Sequence, residues 1–369
     1  MVKRGTIKKR KDGRYEAQYT VNGTRKSVYG RTPEEANTKL TQVLYEMDSG
    51  AYTDSTLTVG RWLDLWLAEY VKGHVKQKTY QFYECNVRCH LRPAFQNIKL
   101  KELKADKVQR LFNEKTKAGL STNSVSGIKR TLHCALNVAI TNGLLIRNVA
   151  HGVKVQSVKG KEKRILTLQE QEALLQALKG EDKGFMVELA LFTGLRCGEI
   201  LGLRWEDVDT KAKTITIRQT VQRLKGEDGK TSLVFGTPKS SKGSRTIPLL
   251  GKVADKLKKH YSKQLKERVR VGEEKWDDHD LVFSNWGKPI DPSNFQRFLS
   301  AMSEKAKIER VNIHALRHAF ASRAREQGLE LEVLSNILGH SDIRLTANTY
   351  THVSLERTEN EMKKMESLL

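Results

Sequence analysis

At 369 residues the chain is long enough for two or three domains, and 66 Lys plus Arg against 43 Asp plus Glu give it a formal charge of +23. No apolar run approaches the ~20 residues needed to span a bilayer, the basic start lacks the apolar stretch of a secretory signal, and Cys85, Cys89, Cys134 and Cys197 are too few for a disulfide scaffold. A soluble intracellular protein is expected, and because a polyanion best compensates such self-repelling charge, nucleic acid is its leading partner.

Residues 1–31 hold ten Lys or Arg against two acids. Tyr15, Ala17, Tyr19 and Val21 alternate with Glu16, Gln18 and Thr20, the two-residue period of a half-buried strand. Asp12-Gly13 and Asn22-Gly23 flank it as tight-turn dipeptides, so three short strands are predicted. A helix then starts in "RTPEEANTKL", with Thr32 as N-cap, Pro33 in the first turn and Glu35 closing a capping box. A basic three-stranded sheet backed by one helix can enter a DNA groove. Its candidate DNA contacts are Lys8, Lys9, Arg10, Lys11, Arg14, Arg25 and Lys26. A solvated basic hairpin without a partner is the alternative.

From Thr58 the period changes. Val59, Trp62, Leu63, Trp66, Leu67 and Tyr70 form one apolar helical stripe, and further helices are predicted around residues 79–91, 105–117 and 122–141. In the last, Val125, Ile128, Leu132, Leu136 and Ala139 share a face before Asn142-Gly143 ends it. Cys85, Cys89 and His90 have no second ligand pair to complete a zinc site, and buried free thiols are expected there instead. "HGVKVQSVKGKEKRIL", with five cations from Lys154 to Arg164, reads as a linker that lies along phosphate.

The third segment opens on a capping box, Thr167 with Glu170. The helical "GFMVELALFTGLRCGEILGLRWEDVD" follows, then β-favouring stretches on either side of "GEDGK", then helices with no further strand evident. The fold class expected is multidomain, mainly α with small β elements (α+β), with one small antiparallel sheet in the third segment.

A phosphate-cradling glycine loop and a GxSxG elbow are both missing from the sequence, which removes the usual supports for nucleotide hydrolysis and acyl transfer. Glu206, Asp207 and Asp209 of "RWEDVD" are read as capping a helix end rather than as metal ligands. Arg196 and Glu199 lie three apart, so on a helix the acid can orient the guanidinium. His314 and Arg317 have the same spacing. Paired arginines can each grip a phosphodiester through two donors, a geometry lysine cannot supply.

The ordered set "TGLRCGE", "TPKSSKGSRTIP", "HALRH", "LGH" and "TANTYTH" resembles the catalytic motifs of tyrosine recombinases, in particular integrases of temperate phages and integrative conjugative elements. The resemblance divides the chain into an arm-type DNA-binding domain (1–53), a helical core-binding domain (54–153), a basic linker (154–164) and a catalytic domain with C-terminal tail (165–369). It implies that Arg196 and Arg317 clamp the scissile phosphate, that Tyr350 is the nucleophile, that His314 takes the tyrosine proton and that His340 hydrogen-bonds the phosphate. Lys239 would protonate the leaving 5′-hydroxyl, with Lys242 as the alternative, and Glu199 would support Arg196.

A phenol with a pKa of about 10 needs such a base and such cations to attack at neutral pH. No cofactor, metal or ATP is implied. The implied partners are double-stranded DNA attachment sites and further copies of the chain, a tetramer in the synapse, with room for accessory DNA-bending or directionality proteins and none for a membrane. The expected setting is the cytoplasm of a bacterial host, at the nucleoid. A type IB topoisomerase-like enzyme and a catalytically silent DNA-binding regulator are the competing readings. After Tyr350, Leu355, Met362, Met365 and Leu369 recur at helical intervals, and the tail is expected to dock on a neighbouring protomer or fold back on its own domain.

Overall fold

The computed structural model describes residues 4–21, 24–48, 57–157, 165–226, 229–238 and 243–339. The chain divides into two compact units, Met1–Lys161 and Glu162–Leu369. No helix among the described residues is long and apolar enough to cross a membrane.

The first unit opens with the three antiparallel strands expected, β1 (Arg4–Lys9), β2 (Tyr15–Val21) and β3 (Thr24–Gly30), in that order. Gly13 takes the left-handed conformation (φ 83°) between β1 and β2, while Asn22-Gly23 lies outside the described residues. The helix α1 (Pro33–Asp48) covers one sheet face. There Ala17, Tyr19, Ala36 and Leu40 form a small core with Ile7, Tyr15 and Val28. Gly30 is needed at the corner: a Cβ there would lie 2.5 Å from the Ala36 amide nitrogen. Thr32 accepts from the Glu35 amide (3.2 Å), but the Glu35 carboxylate accepts from the Arg31 amide (2.7 Å), so the expected capping box is closed one residue early. Lys39, bonded to the same carboxylate at 2.7 Å, holds it there.

Four helical rods follow. The first is α2 (Val59–Leu65), continued by a π-helical turn over Trp66–Val71. The second is α3 (Gln77–Asn86), continued by a π turn over Val87–Leu91 into α4 (Arg92–Phe95). α5 (Ala105–Lys117) and α6 (Thr122–Thr141) complete the set. The predicted face of α6 is fully buried. Tyr70 departs from expectation. The π turn adds a residue to its helical repeat, so Val71 (2 % exposed) takes the core position and Tyr70 (42 %) turns outward, its hydroxyl accepting from Asn142. Cys85 and Cys89 correct another expectation: both are exposed, Sγ to Sγ 3.9 Å, because Val87 and Leu91 on the opposite face are the ones that enter the core.

The second unit begins with α7 (Leu168–Ala177), whose Thr167–Glu170 capping box has both bonds in place. The helix predicted from Gly184 onward is broken. α8 (Gly184–Thr193) ends at Gly194 in the left-handed conformation (φ 64°), and α9 (Cys197–Leu201) starts anew. Any side chain at Gly194 would collide with Phe320 and Leu338, its Cβ only 2.4 Å and 2.9 Å from their carbons.

The "RWEDVD" acids do not cap a helix end. Asp207 is buried and ion-paired with Arg218 (3.0 Å), and Asp209 accepts from the Lys211 and Ala212 amides of the turn that follows. Instead of one small sheet there are several. β4 (Val208–Asp209), β5 (Thr214–Ile217) and β8 (Arg245–Pro248) pair in the order β4-β5-β8, while β6 (Thr220–Lys225) and β7 (Thr231–Gly236) form a separate ribbon. After α10 (Gly251–Val271) a two-residue ladder, β9 (Ser284–Asn285) with β10 (Lys288–Pro289), contradicts the expectation of helices alone. It is too short to carry an alternation the sequence could display.

α11 (Pro292–Lys305), α12 (Ile313–Glu326) and α13 (Leu331–Leu338) close the described part. The core joins Leu189 and Ala190 of α8, Ile215 and Ile247 of the sheet, Leu257 of α10, Phe295 and Leu299 of α11, and Leu316 and Ala319 of α12.

Candidate active site

Three arginines meet at the C-terminal end of α13. A helix leaves its last carbonyls without intrahelical partners and with partial negative charge, so cations gather there. Consecutive carbonyls are each taken by a different guanidinium: Ile337 by Arg245 Nε (2.6 Å), Leu338 by Arg317 Nη2 (2.7 Å) and Gly339 by Arg196 Nη2 (3.2 Å).

Arg196 is placed by the break at Gly194. It stands just before α9 in extended conformation (φ −73°, ψ 152°). Glu199, three residues on, accepts from the Arg196 amide (2.9 Å) and from Nη1 (2.8 Å). The predicted partnership therefore holds, formed across a helix start rather than along one face. The Arg196 side chain stays 40 % exposed beside a Glu199 that is 1 % exposed. Burial pushes the Glu199 carboxyl up, but the hydrogen bond and charge of Arg245, followed by the amide and charge of Arg196, outweigh it and hold the group below the usual carboxylate range.

Arg317 lies on α12, capped by Asn312, whose side chain accepts from the Ala315 amide (2.8 Å). It is almost wholly buried (2 % exposed) and also donates through Nη1 to the Gly194 carbonyl (2.8 Å), tying the α8–α9 corner to α13. His314, one helical turn earlier, is exposed, and its ring meets that of His318 edge-on at 4.6 Å. Arg196 and Glu199 thus share one locus with Arg317, more than a hundred residues further along the chain, with His314 on the helix that carries Arg317. Lys239, Lys242, His340 and Tyr350 lie outside the described residues. So do Leu355, Met362, Met365 and Leu369 of the tail.

Arg245 was not singled out in the sequence. Its signal was present: in "RTIP" it has the same strand parity as Ile247, a core residue, and a buried guanidinium requires an anion. That anion is Glu199, bound by Nη1 (3.2 Å) and Nη2 (3.0 Å).

In the N-terminal sheet, Lys8 pairs with Glu16 and Arg25 with Thr20, both on the face away from α1. Lys9 and Lys26 pair with Tyr15 and Tyr19 and have the parity of the helix-covered face. Lys8, Lys9, Arg10, Lys11, Arg14 and Arg25 are exposed and Lys26 is half-buried. Arg10 and Arg14 both lie over the Tyr29 ring, at 5.4 Å and 5.6 Å, and Arg14 is also paired with Asp12 at 2.7 Å. No group of three or more His, Cys, Asp or Glu able to hold a metal occurs among the described residues.

The arginine cluster thus sits in a mainly helical domain with small sheets, which follows a helical module and a three-stranded sheet along the chain. Residues 163–357 match the phage integrase family and residues 58–116 match the phage integrase N-terminal SAM-like domain. A XerC-like tyrosine recombinase of Caldanaerobacter subterraneus subsp. tengcongensis is 30 % identical, over 93 % of this chain and 92 % of that protein. The Tn1549 transposon integrase in complex with transposon right end DNA superposes with a TM-score of 0.72 at 22 % identity, covering 84 % of this chain and 100 % of that one. A lambda integrase tetramer bound to a Holliday junction gives 0.57 at 18 %, covering 93 % and 94 %. The chain belongs to the phage integrase family and is a tyrosine recombinase of the integrase type found in mobile elements.

Proposed function

We propose that this recombinase cuts and rejoins double-stranded DNA at attachment sites through a 3′-phosphotyrosine intermediate, integrating and excising a mobile element. The observation that carries the reading is the meeting of Arg196 and Arg317 on neighbouring carbonyls of α13, directly before His340 in sequence. In that reading the two guanidiniums bind the non-bridging oxygens of the scissile phosphate and offset the charge that grows there during attack. The Tyr350 oxygen bonds to phosphorus as its proton passes to His314. The bond to the 5′-oxygen breaks, and Lys239, or Lys242 in its place, supplies the proton that makes it a hydroxyl. His340 donates to the phosphate. Attack by a 5′-hydroxyl from another strand reverses each transfer, so the step needs neither ATP nor a metal.

The chain further divides, in this proposal, into an arm-type DNA-binding domain (1–53), a core-binding domain (54–153), a linker (154–164) and the catalytic domain (165–369). Lys8 and Arg25, on the open sheet face, are the arm contacts best placed for DNA, with Arg10, Lys11 and Arg14 at the neighbouring turn. The likeness to the lambda integrase tetramer supports a tetramer on two duplexes. Accessory DNA-bending or directionality proteins fit this assembly, which would act at the nucleoid of a bacterial host.

A nicked substrate that traps the covalent adduct tests the chemistry. Wild type is expected to form the adduct in EDTA without ATP, and Tyr350→Phe to form none. An adduct that needs divalent ions, or that survives Tyr350→Phe, refutes the mechanism.

A further inference from the structure

We propose that Arg245 is a positioning residue for the cleavage step, holding Arg196 through Glu199 and holding the end of α13 from which the chain enters His340. The inference rests on the reading above of Arg196 and His340 as phosphate ligands.

Four acceptors surround this one side chain. Nη1 and Nη2 reach the two Glu199 oxygens, Nε donates to the Ile337 carbonyl, and Nη1 also reaches the Gly243 carbonyl at 3.1 Å. Gly243 follows directly in sequence on the segment that holds Lys239 and Lys242. Arg245 therefore joins three of the motif segments proposed to act on the phosphate: "TGLRCGE" through Glu199, "TPKSSKGSRTIP" through its own backbone and Gly243, and "LGH" through Ile337. Its side chain is only 8 % exposed and two of its nitrogens are engaged by Glu199, the same carboxylate that holds Arg196.

The close packing extends to Gly339. Its φ is +64°, and an added Cβ would lie 2.9 Å from Arg245 Nη1 and 3.1 Å from Cδ. The residue before His340 must therefore be bare for Arg245 to reach Ile337 beneath it. A planar fork with donors on three nitrogens satisfies this set of acceptors, whereas the donors of a lysine all radiate from one atom.

A buried ion pair is weak evidence for stability, since desolvation offsets much of the attraction. Geometric control is the better account of its presence, and the two roles separate experimentally. Full-length wild type, Arg245→Lys and Arg245→Met are compared for single-turnover cleavage of the nicked substrate at saturating DNA, for the Kd of the same duplex and for cooperative melting. Both variants are expected to cleave at least about 30-fold more slowly with Kd changed less than about threefold, as displacement of reacting groups by about an ångström slows a reaction by up to two orders of magnitude.

Cleavage by Arg245→Lys within threefold of wild type overturns the proposal. So does a Kd that rises in step with the loss of cleavage, or an Arg245→Lys protein without a cooperative transition, either of which makes the residue a scaffold element. If Arg245→Met does not fold, Arg245→Lys decides alone. Absence of adduct from wild type would instead refute the function proposed above, so the two failures are distinct.

Discussion

Replacing Glu199 by Gln removes the only side-chain anion shared by Arg196 and Arg245 among the described residues. The carboxylate is 1 % exposed and accepts two bonds from each arginine, counting the Arg196 amide. Removing one partner from a buried ion pair costs about 3–5 kcal/mol, and at about 2–4 °C per kcal/mol for a unit of this size the melting temperature should fall by about 6–20 °C. The pH dependence has a defined sign. Because the folded carboxyl titrates below its unfolded value of about 4.3, the unfolded chain takes up the proton first. The stability due to Glu199 is thus complete above about pH 5 and is lost as pH falls through the carboxylate range. Thermal melts of wild type and Glu199→Gln between pH 4 and 8 should show the gap widest at neutral pH and narrowing toward pH 4. A gap below 2 °C at pH 7, or one that widens on acidification, would refute the reasoning.

The π turn in the first unit predicts an inverted order of sensitivity at two neighbouring positions. Val71→Ala should cost about 1–3 kcal/mol in urea unfolding and Tyr70→Ala less than about 1 kcal/mol; the reverse ranking would restore an α-helical register there. Among the thiols, burial and then the nearby Asp291 charge push Cys197 up to about 12. Iodoacetamide at pH 8 followed by mass spectrometry should therefore modify the exposed Cys85 and Cys89 well before Cys197, and equal labelling of Cys197 would contradict its burial.

The parts of this fold that sequence makes legible are those decided by near neighbours. Alternation in "YEAQYTV" and the Thr167–Glu170 pair each report a local hydrogen-bond or burial pattern, and both appear as read. Tyr70 turns outward because the π turn over Trp66–Val71 adds a residue to the helical repeat, which the spacing of apolar residues does not reveal. Arg196 and Glu199 were rightly joined, yet by a helix start that depends on Gly194 fitting under Phe320 and Leu338, residues far along the chain. Capping at α13 was invisible for the same reason: which guanidinium takes which carbonyl is settled by three elements distant in sequence. Arg245 lay within reach of a parity argument, because an arginine two residues before a core isoleucine calls for a buried acid.

The cluster at the end of α13 also bears on how long the protein survives. Arg196 and Arg245 both pair with Glu199, while Arg317 lies on the neighbouring Leu338 carbonyl, so the peptide dipoles at the end of α13 share in holding the three cations. In the proposed reading, a bound phosphodiester would add an anion to this cluster in the native state alone. Occupancy then feeds directly into the population of open, protease-sensitive conformers. Copies without DNA should then be cut by an added protease faster than copies bound to it.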